Sequence, residues 1–126
     1  MAARVDLSVT RACRCLAARR LARVVTRLFE RKLRPHGLRA TQFSVLAALA
    51  LKGPTPIAEL AAALDLERTT LTRITAVLER HGWVGAVRAG DARRRPLRLT
   101  AGGRRKAERA FPAWKEAQDQ LERGGR

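Results

Sequence analysis

TPIAELAAALDLERTTLTRITAVLERHGWVGAVRAGDARRRPLRLT, residues 55–100, holds two short helical patterns, a glycine, and then an arginine-crowded hairpin. The second helical pattern, residues 67–81, decides the reading. At 100° per residue, Leu71, Ile74 and Leu78 fall on one face with Val77 beside them. The opposite face carries Thr69, Thr72, Arg73, Ala76 and Arg80. Short polar groups, a small residue and arginine make a face that fits a major groove about 12 Å wide and meets base edges and phosphates there. Glu67 and Arg68 sit at the start of this helix, where free N–H groups favour phosphate. A solvated surface helix would carry a similar face, so the segment that follows has to help decide.

That segment is a hairpin. Strand-like pieces at residues 83–88 and 97–99 flank a turn at Gly90-Asp91 and the run Arg93-Arg94-Arg95. Three adjacent cations repel one another and stabilise nothing locally, so the run makes sense when a polyanion neutralises it. An arginine tip suits a narrow minor groove, where the negative potential is deepest. Asp91 is placed to hold an arginine or cap the turn, and Pro96 limits where the second strand starts.

Working outward, residues 57–64 form a short, alanine-rich helix whose small side chains let another helix approach closely. Thr55 reads as its N-cap, with Pro56 at the first helical position. Asp65-Leu66 is the turn before the next helix, with Asp65 as a cap. Residues 40–51 form a helix burying Phe43, Val45, Leu46, Leu49 and Ala50, stopped by Lys52-Gly53-Pro54. Residues 8–33 form a long first helix capped by Ser8 and ended by Pro35-His36-Gly37. Thr100 caps a last helix over residues 101–121, whose stripe runs through Ala107, Ala110, Phe111, Trp114, Ala117 and Leu121. Gly102 and Gly103 weaken its first turn. The fold class is mainly α with a small β-hairpin wing: a winged helix-turn-helix core at about 38–100, with helices at about 8–34 and 101–121 as a dimerisation region, all in one domain of 126 residues.

Composition agrees. Lys and Arg number 27 against 11 Asp and Glu, a net charge of +16, so a polyanion is attracted before any specific contact forms. No apolar run is long enough to cross a bilayer. Arginines interrupt residues 1–21, so no secretory signal is expected. Two cysteines and no signal point to a reduced cytoplasmic setting. No Ser/His/Asp set, paired carboxylates, metal spacing or phosphate-binding glycine loop appears; an enzyme, a metal site or a cofactor is not expected.

The chain resembles the MarR family of winged helix-turn-helix regulators. The likeness rests on Gly37-Leu38, Gln42-Phe43, Ile57-Ala58-Glu59-Leu60-Ala61, Arg68-Thr69-Thr70-Leu71-Thr72-Arg73, Leu78-Glu79-Arg80-His81-Gly82-Trp83-Val84, Asp91-x-Arg93 and Leu99-Thr100-x-x-Gly103. The resemblance implies a homodimer on a palindromic double-stranded operator, with repression released by a small aromatic ligand or by oxidation. It implies major-groove contacts from Arg68, Thr69, Thr70, Thr72 and Arg73, and wing contacts from Asp91, Arg93, Arg94 and Arg95. Three features depart from the family pattern. The likeness ends near Leu121, short of the sixth helix with which the family wraps its dimer. Arg39 stands where a threonine cap is common, at a cost under about 1 kcal/mol. Ala92 replaces the first arginine of the common Asp-Arg-Arg wing.

Cys13 and Cys15 are two apart on the predicted first helix, so their side chains diverge by about 200° and a disulfide inside an intact helix is disfavoured. One reading is a buried cysteine acting as a small hydrophobe beside an incidental one. The other is a redox switch, since Arg11, Arg14, Arg19 and Arg20 favour thiolate chemistry. Trp114 reads as core packing, with the wall of a ligand pocket as the alternative. His36 and His81 read as partners of helix C-termini. The competing function is a non-specific architectural or nucleoid DNA-binding protein that relies on charge alone.

Overall fold

The structure, a computed structural model, describes residues 2–87 and 96–124. Among the described residues, five α-helices follow the expected order, and a third strand, not expected from the sequence, joins the two hairpin strands. The elements are α1 (Arg14–Leu33), α2 (Ala40–Lys52), β1 (Thr55–Pro56), α3 (Ile57–Ala63), α4 (Arg68–Arg80), β2 (Val84–Ala86), β3 (Pro96–Leu99) and α5 (Ala101–Gly124).

The first helix is shorter than the periodicity predicts. Residues Leu7–Ala12 form a 3₁₀ helix, and α1 begins only after Cys13, whose backbone is extended. The expected Ser8 cap is replaced by Asp6, whose carboxylate accepts from the Ser8 N–H at 3.0 Å and the Ser8 hydroxyl at 2.6 Å. Those two hydrogen bonds hold the Asp6 carboxyl below its ordinary range. No residue of Leu7–Ala12 is buried, so nothing from the core holds these residues in register with α1.

Helix α1 closes through a 3₁₀ turn at Arg34–His36 and a left-handed Gly37 (φ 70°). Arg39 costs less than its poor capping chemistry suggests. Its N–H donates to Gln42 Oε1 at 2.9 Å, and Glu30 of α1 accepts from the Ala40 N–H at 2.8 Å, so side chains from two helices serve the start of α2. In α2 Phe43, Val45, Leu46 and Leu49 are buried and Ala50 is half-buried.

Thr55 is not a helix cap. It is a buried residue of β1, paired antiparallel with β3 (Thr55 opposite Leu97, Pro56 opposite Pro96). Pairing with the hairpin stem satisfies the backbone there, and Pro56 becomes the residue before α3. Asp65 is likewise no cap. It takes a left-handed turn (φ 53°), and Glu67 occupies the position before α4. The strand order is β1-β3-β2, with Val84 opposite Leu99, Gly85 opposite Arg98 and Ala86 opposite Leu97.

Thr100 caps α5 as expected: its Oγ1 accepts from the Gly103 N–H at 3.0 Å and donates to the Gly82 carbonyl at 2.6 Å, tying the end of α4 to the start of α5. One core joins both regions. Leu33, Leu38, Phe43, Leu46, Leu49, Leu60, Leu71, Leu78, Val84, Leu97 and Ala110 bury together. A Lys32–Glu116 ion pair at 3.1 Å adds to the packing of α1 on α5. Among the described residues, no helix is long and apolar enough to cross a membrane.

Candidate nucleic-acid interface

Helix α4 is held by its apolar side. Leu71 and Leu78 are fully buried, and Ile74 and Val77 are half-buried. Thr75 is buried as well, its hydroxyl donating to the Thr72 carbonyl at 3.1 Å, which satisfies the group without an outside partner. The spacing 71, 75, 78 carries that signal, yet a threonine does not announce itself as core.

The other side of α4 is open. Arg68, Thr69, Thr72, Arg73, Ala76 and Arg80 are exposed, while Thr70 is half-buried on the flank. The Thr72 hydroxyl donates to the Arg68 carbonyl at 2.8 Å and keeps its oxygen free to accept. Among the described residues, Arg68, Arg73 and Arg80 enter no ion pair; the three pairs present are Lys32–Glu116, Arg39–Glu30 and Lys115–Asp119. The face is therefore cationic and uncommitted.

The wing stem lies directly after α4. Leu97 of β3 points to the core and Arg98 points out, where its guanidinium lies against Gly85 of the opposing strand. Arg98 was missed in the sequence, although an arginine between two inward leucines is the signal for it. Asp91, Arg93, Arg94 and Arg95 lie outside the described residues. At the end of α4, His81 stacks on Trp83 (ring centroids 4.3 Å apart, 11° between planes), and Lys106 Nζ sits 5.1 Å above the same indole.

Away from this face, two features concern the protomer's other surfaces. An apolar groove of about 570 Å³ between α2 and α5 is lined by Phe43, Ala47, Leu51, Phe111 and Trp114, with Arg104 and Glu108 also in its wall. Trp114 packs on Phe43 (6.0 Å between centroids) and Phe111 (5.8 Å), as the packing reading expects, and it also lines the groove. On the outer edge of the α1/α5 pair, Leu21 and Val24 are exposed and line a depression with Leu28 and Leu121. Cys13 and Cys15 are both exposed, so the reading of one as a buried hydrophobe does not hold within the protomer. Nor do both lie within the helix, because the extended backbone of Cys13 stands just before it.

A packed helix pair, the second helix of which is open to solvent, followed by a hairpin, defines a winged helix-turn-helix protein. The model of the MarR family matches residues 38–94, from the start of the core to the arginine run. The M. tuberculosis transcriptional regulator MosR, solved in complex with DNA, is 42% identical; the match covers 86% of this chain and 80% of that one, with a TM-score of 0.79. Reduced AbfR bound to DNA is 31% identical over 81% of this chain and 72% of that one, with a TM-score of 0.74. YwoH, an uncharacterized HTH-type transcriptional regulator of Bacillus subtilis (strain 168), is 34% identical over 87 residues. That match covers 69% of this chain and 64% of YwoH, less than two thirds of the relative's length. The chain belongs to the MarR family of transcriptional regulators.

Proposed function

We propose that the protein binds double-stranded DNA as a homodimer and reads sequence through α4. Arg68, Thr69, Thr72 and Arg73 meet the major groove, with Thr70 at the edge, and Asp91, Arg93, Arg94 and Arg95 form the wing that reaches the minor groove. The observation that carries this reading is the open side of α4: three arginines without an ion pair among the described residues, and threonine hydroxyls between them, opposite a fully buried leucine side. MosR and AbfR, each solved on DNA, support it as relatives. The exposed Leu21 and Val24 supply an apolar surface for the second protomer, and pairing would give a two-fold reader.

The test is selection of bound duplexes from a genomic library with the purified full chain. A palindromic consensus with an advantage of about 10³-fold or more over unrelated duplex is expected. Equal recovery of all sequences would instead support the architectural reading, in which the +16 charge acts alone.

We further infer that the protein represses and is released by a signal. The groove beside Trp114 suits a small aromatic molecule. The exposed Cys13 and Cys15 suit oxidation, and the relative AbfR was solved on DNA in a form described as reduced. Peroxide is expected to weaken duplex binding by the wild type and to leave a Cys13→Ser/Cys15→Ser variant unaffected. Release of the double variant by the same peroxide dose would remove the cysteines from the mechanism.

A further inference from the structure

At the corner where α1 passes into α2, a concave pocket of about 570 Å³ is lined by Thr26, Arg27, Glu30, Arg31, Arg34 and Arg39. Its charge is unbalanced. Glu30 is the one carboxylate in the lining, and both its oxygens are already engaged. Oε2 accepts from Arg39 Nε at 2.9 Å, and Oε1 accepts from the Ala40 N–H at 2.8 Å. Among the described residues, Arg27, Arg31 and Arg34 form no ion pair.

The three are not scattered. Spacings of four and three put them on one side of α1 and the turn after it, and Arg19 and Arg23 extend the row backward at the same four-residue interval. All five are exposed, on the side of α1 away from the buried Leu28 and Leu33. Like charges at this spacing weaken a helix. The arrangement gains from a counter-anion with several oxygens, which planar guanidinium forks bind in pairs.

We propose that this pocket binds a phosphate group, gripped by Arg27, Arg31 and Arg34 with the Thr26 hydroxyl beside them. Arg39 stays with Glu30 and forms the far wall. A tetrahedral dianion answers three cations lining one pocket better than a single carboxylate does. The phosphate comes either from a free phosphorylated small molecule or from the backbone of a bound duplex. This site is separate from the open face of α4 and does not depend on base readout.

Calorimetric titration of the full chain with inorganic phosphate and then pyrophosphate tests it. One saturable site per protomer is expected. An Arg27→Gln/Arg34→Gln variant should bind at least about ten-fold more weakly, while Arg109→Gln, an exposed arginine outside the lining, changes nothing. Both substituted side chains are exposed and form no ion pair among the described residues, so the fold should persist, which circular dichroism checks. A second arm measures binding to an unrelated duplex against salt. If backbone phosphates fill the pocket, the double variant should lower the slope of log affinity against log salt by about one to two. An unchanged slope with weakened pyrophosphate binding assigns the site to a free phosphate compound. Pyrophosphate binding that never saturates or survives the double substitution, together with an unchanged slope, would overturn the proposal. The pyrophosphate arm reads out even if the chain proves to have no preferred DNA sequence.

Discussion

At Gly103, α5 packs directly against the Trp83 backbone that leads into the hairpin. A Cβ there would overlap the Trp83 carbonyl oxygen and crowd the Leu99 side chain, and the residue is buried. Its neighbour Gly102 differs: a Cβ there meets nothing nearer than 3.6 Å, an ordinary contact. Both look alike in the sequence, as two glycines weakening a first turn. Gly103→Ala is expected to destabilise by about 1–3 kcal/mol, since the clash is with backbone that cannot swing aside. Gly102→Ala should stabilise by up to about 1 kcal/mol through helix propensity. Urea denaturation of the two variants checks the pair; similar midpoints would show that the close approach is not tight.

At the scale of the element, α4 combines a committed side with an uncommitted one. Leu71, Thr75 and Leu78 anchor it, so substitutions on the opposite side leave the fold intact and report on binding. Arg73→Ala should cost about 1–3 kcal/mol at the base pair it reads and flatten the sequence preference. Arg94→Ala, in the wing, should weaken all duplexes more evenly. Competition binding against a panel of single-base operator variants separates the two patterns. An unchanged preference in Arg73→Ala would mean that another part of the face does the reading. Helix α5 makes the opposite point about local rules: Pro112 lies inside it, yet the helix runs unbroken over Ala101–Gly124. Packing against α1 and α2 outweighs the lost backbone hydrogen bond.

For the whole molecule, the question is what covers the apolar edge of the α1/α5 pair. Leu21 is 64% and Val24 58% exposed in the single chain, a poor use of two aliphatic side chains side by side on a helix. If they form the two-fold contact, Val24→Asp places a carboxylate in a buried interface. Sedimentation should then shift from dimer to monomer, and duplex affinity should fall by about ten-fold or more, because one reading helix replaces two. A variant that stays dimeric with unchanged affinity would place the contact elsewhere on the chain.

The order of the helices, the buried side of α4, the Thr100 cap and the strongly basic balance were all legible in the residues. Each rests on local physics: helical periodicity, a hydroxyl one residue before a helix, and charge density. What the residues did not disclose involves partners far apart in the chain. Thr55 looked like a cap because its strand exists only through pairing with Leu97. Arg39 looked like a lost cap because Glu30, nine positions earlier, takes over at the start of α2. Gly103 looked like a weakness because the Trp83 carbonyl that requires it arrives from the end of α4. The pocket of arginines at the α1/α2 corner joins side chains from two elements, and its unbalanced charge shows only once Glu30 is seen to be engaged. Sequence alone determined the order of the five α-helices and the leucine side of α4, since those follow from neighbours three or four residues away. Tertiary structure decided which polar groups are already satisfied and which remain free to bind, since that depends on contacts that only folding brings together.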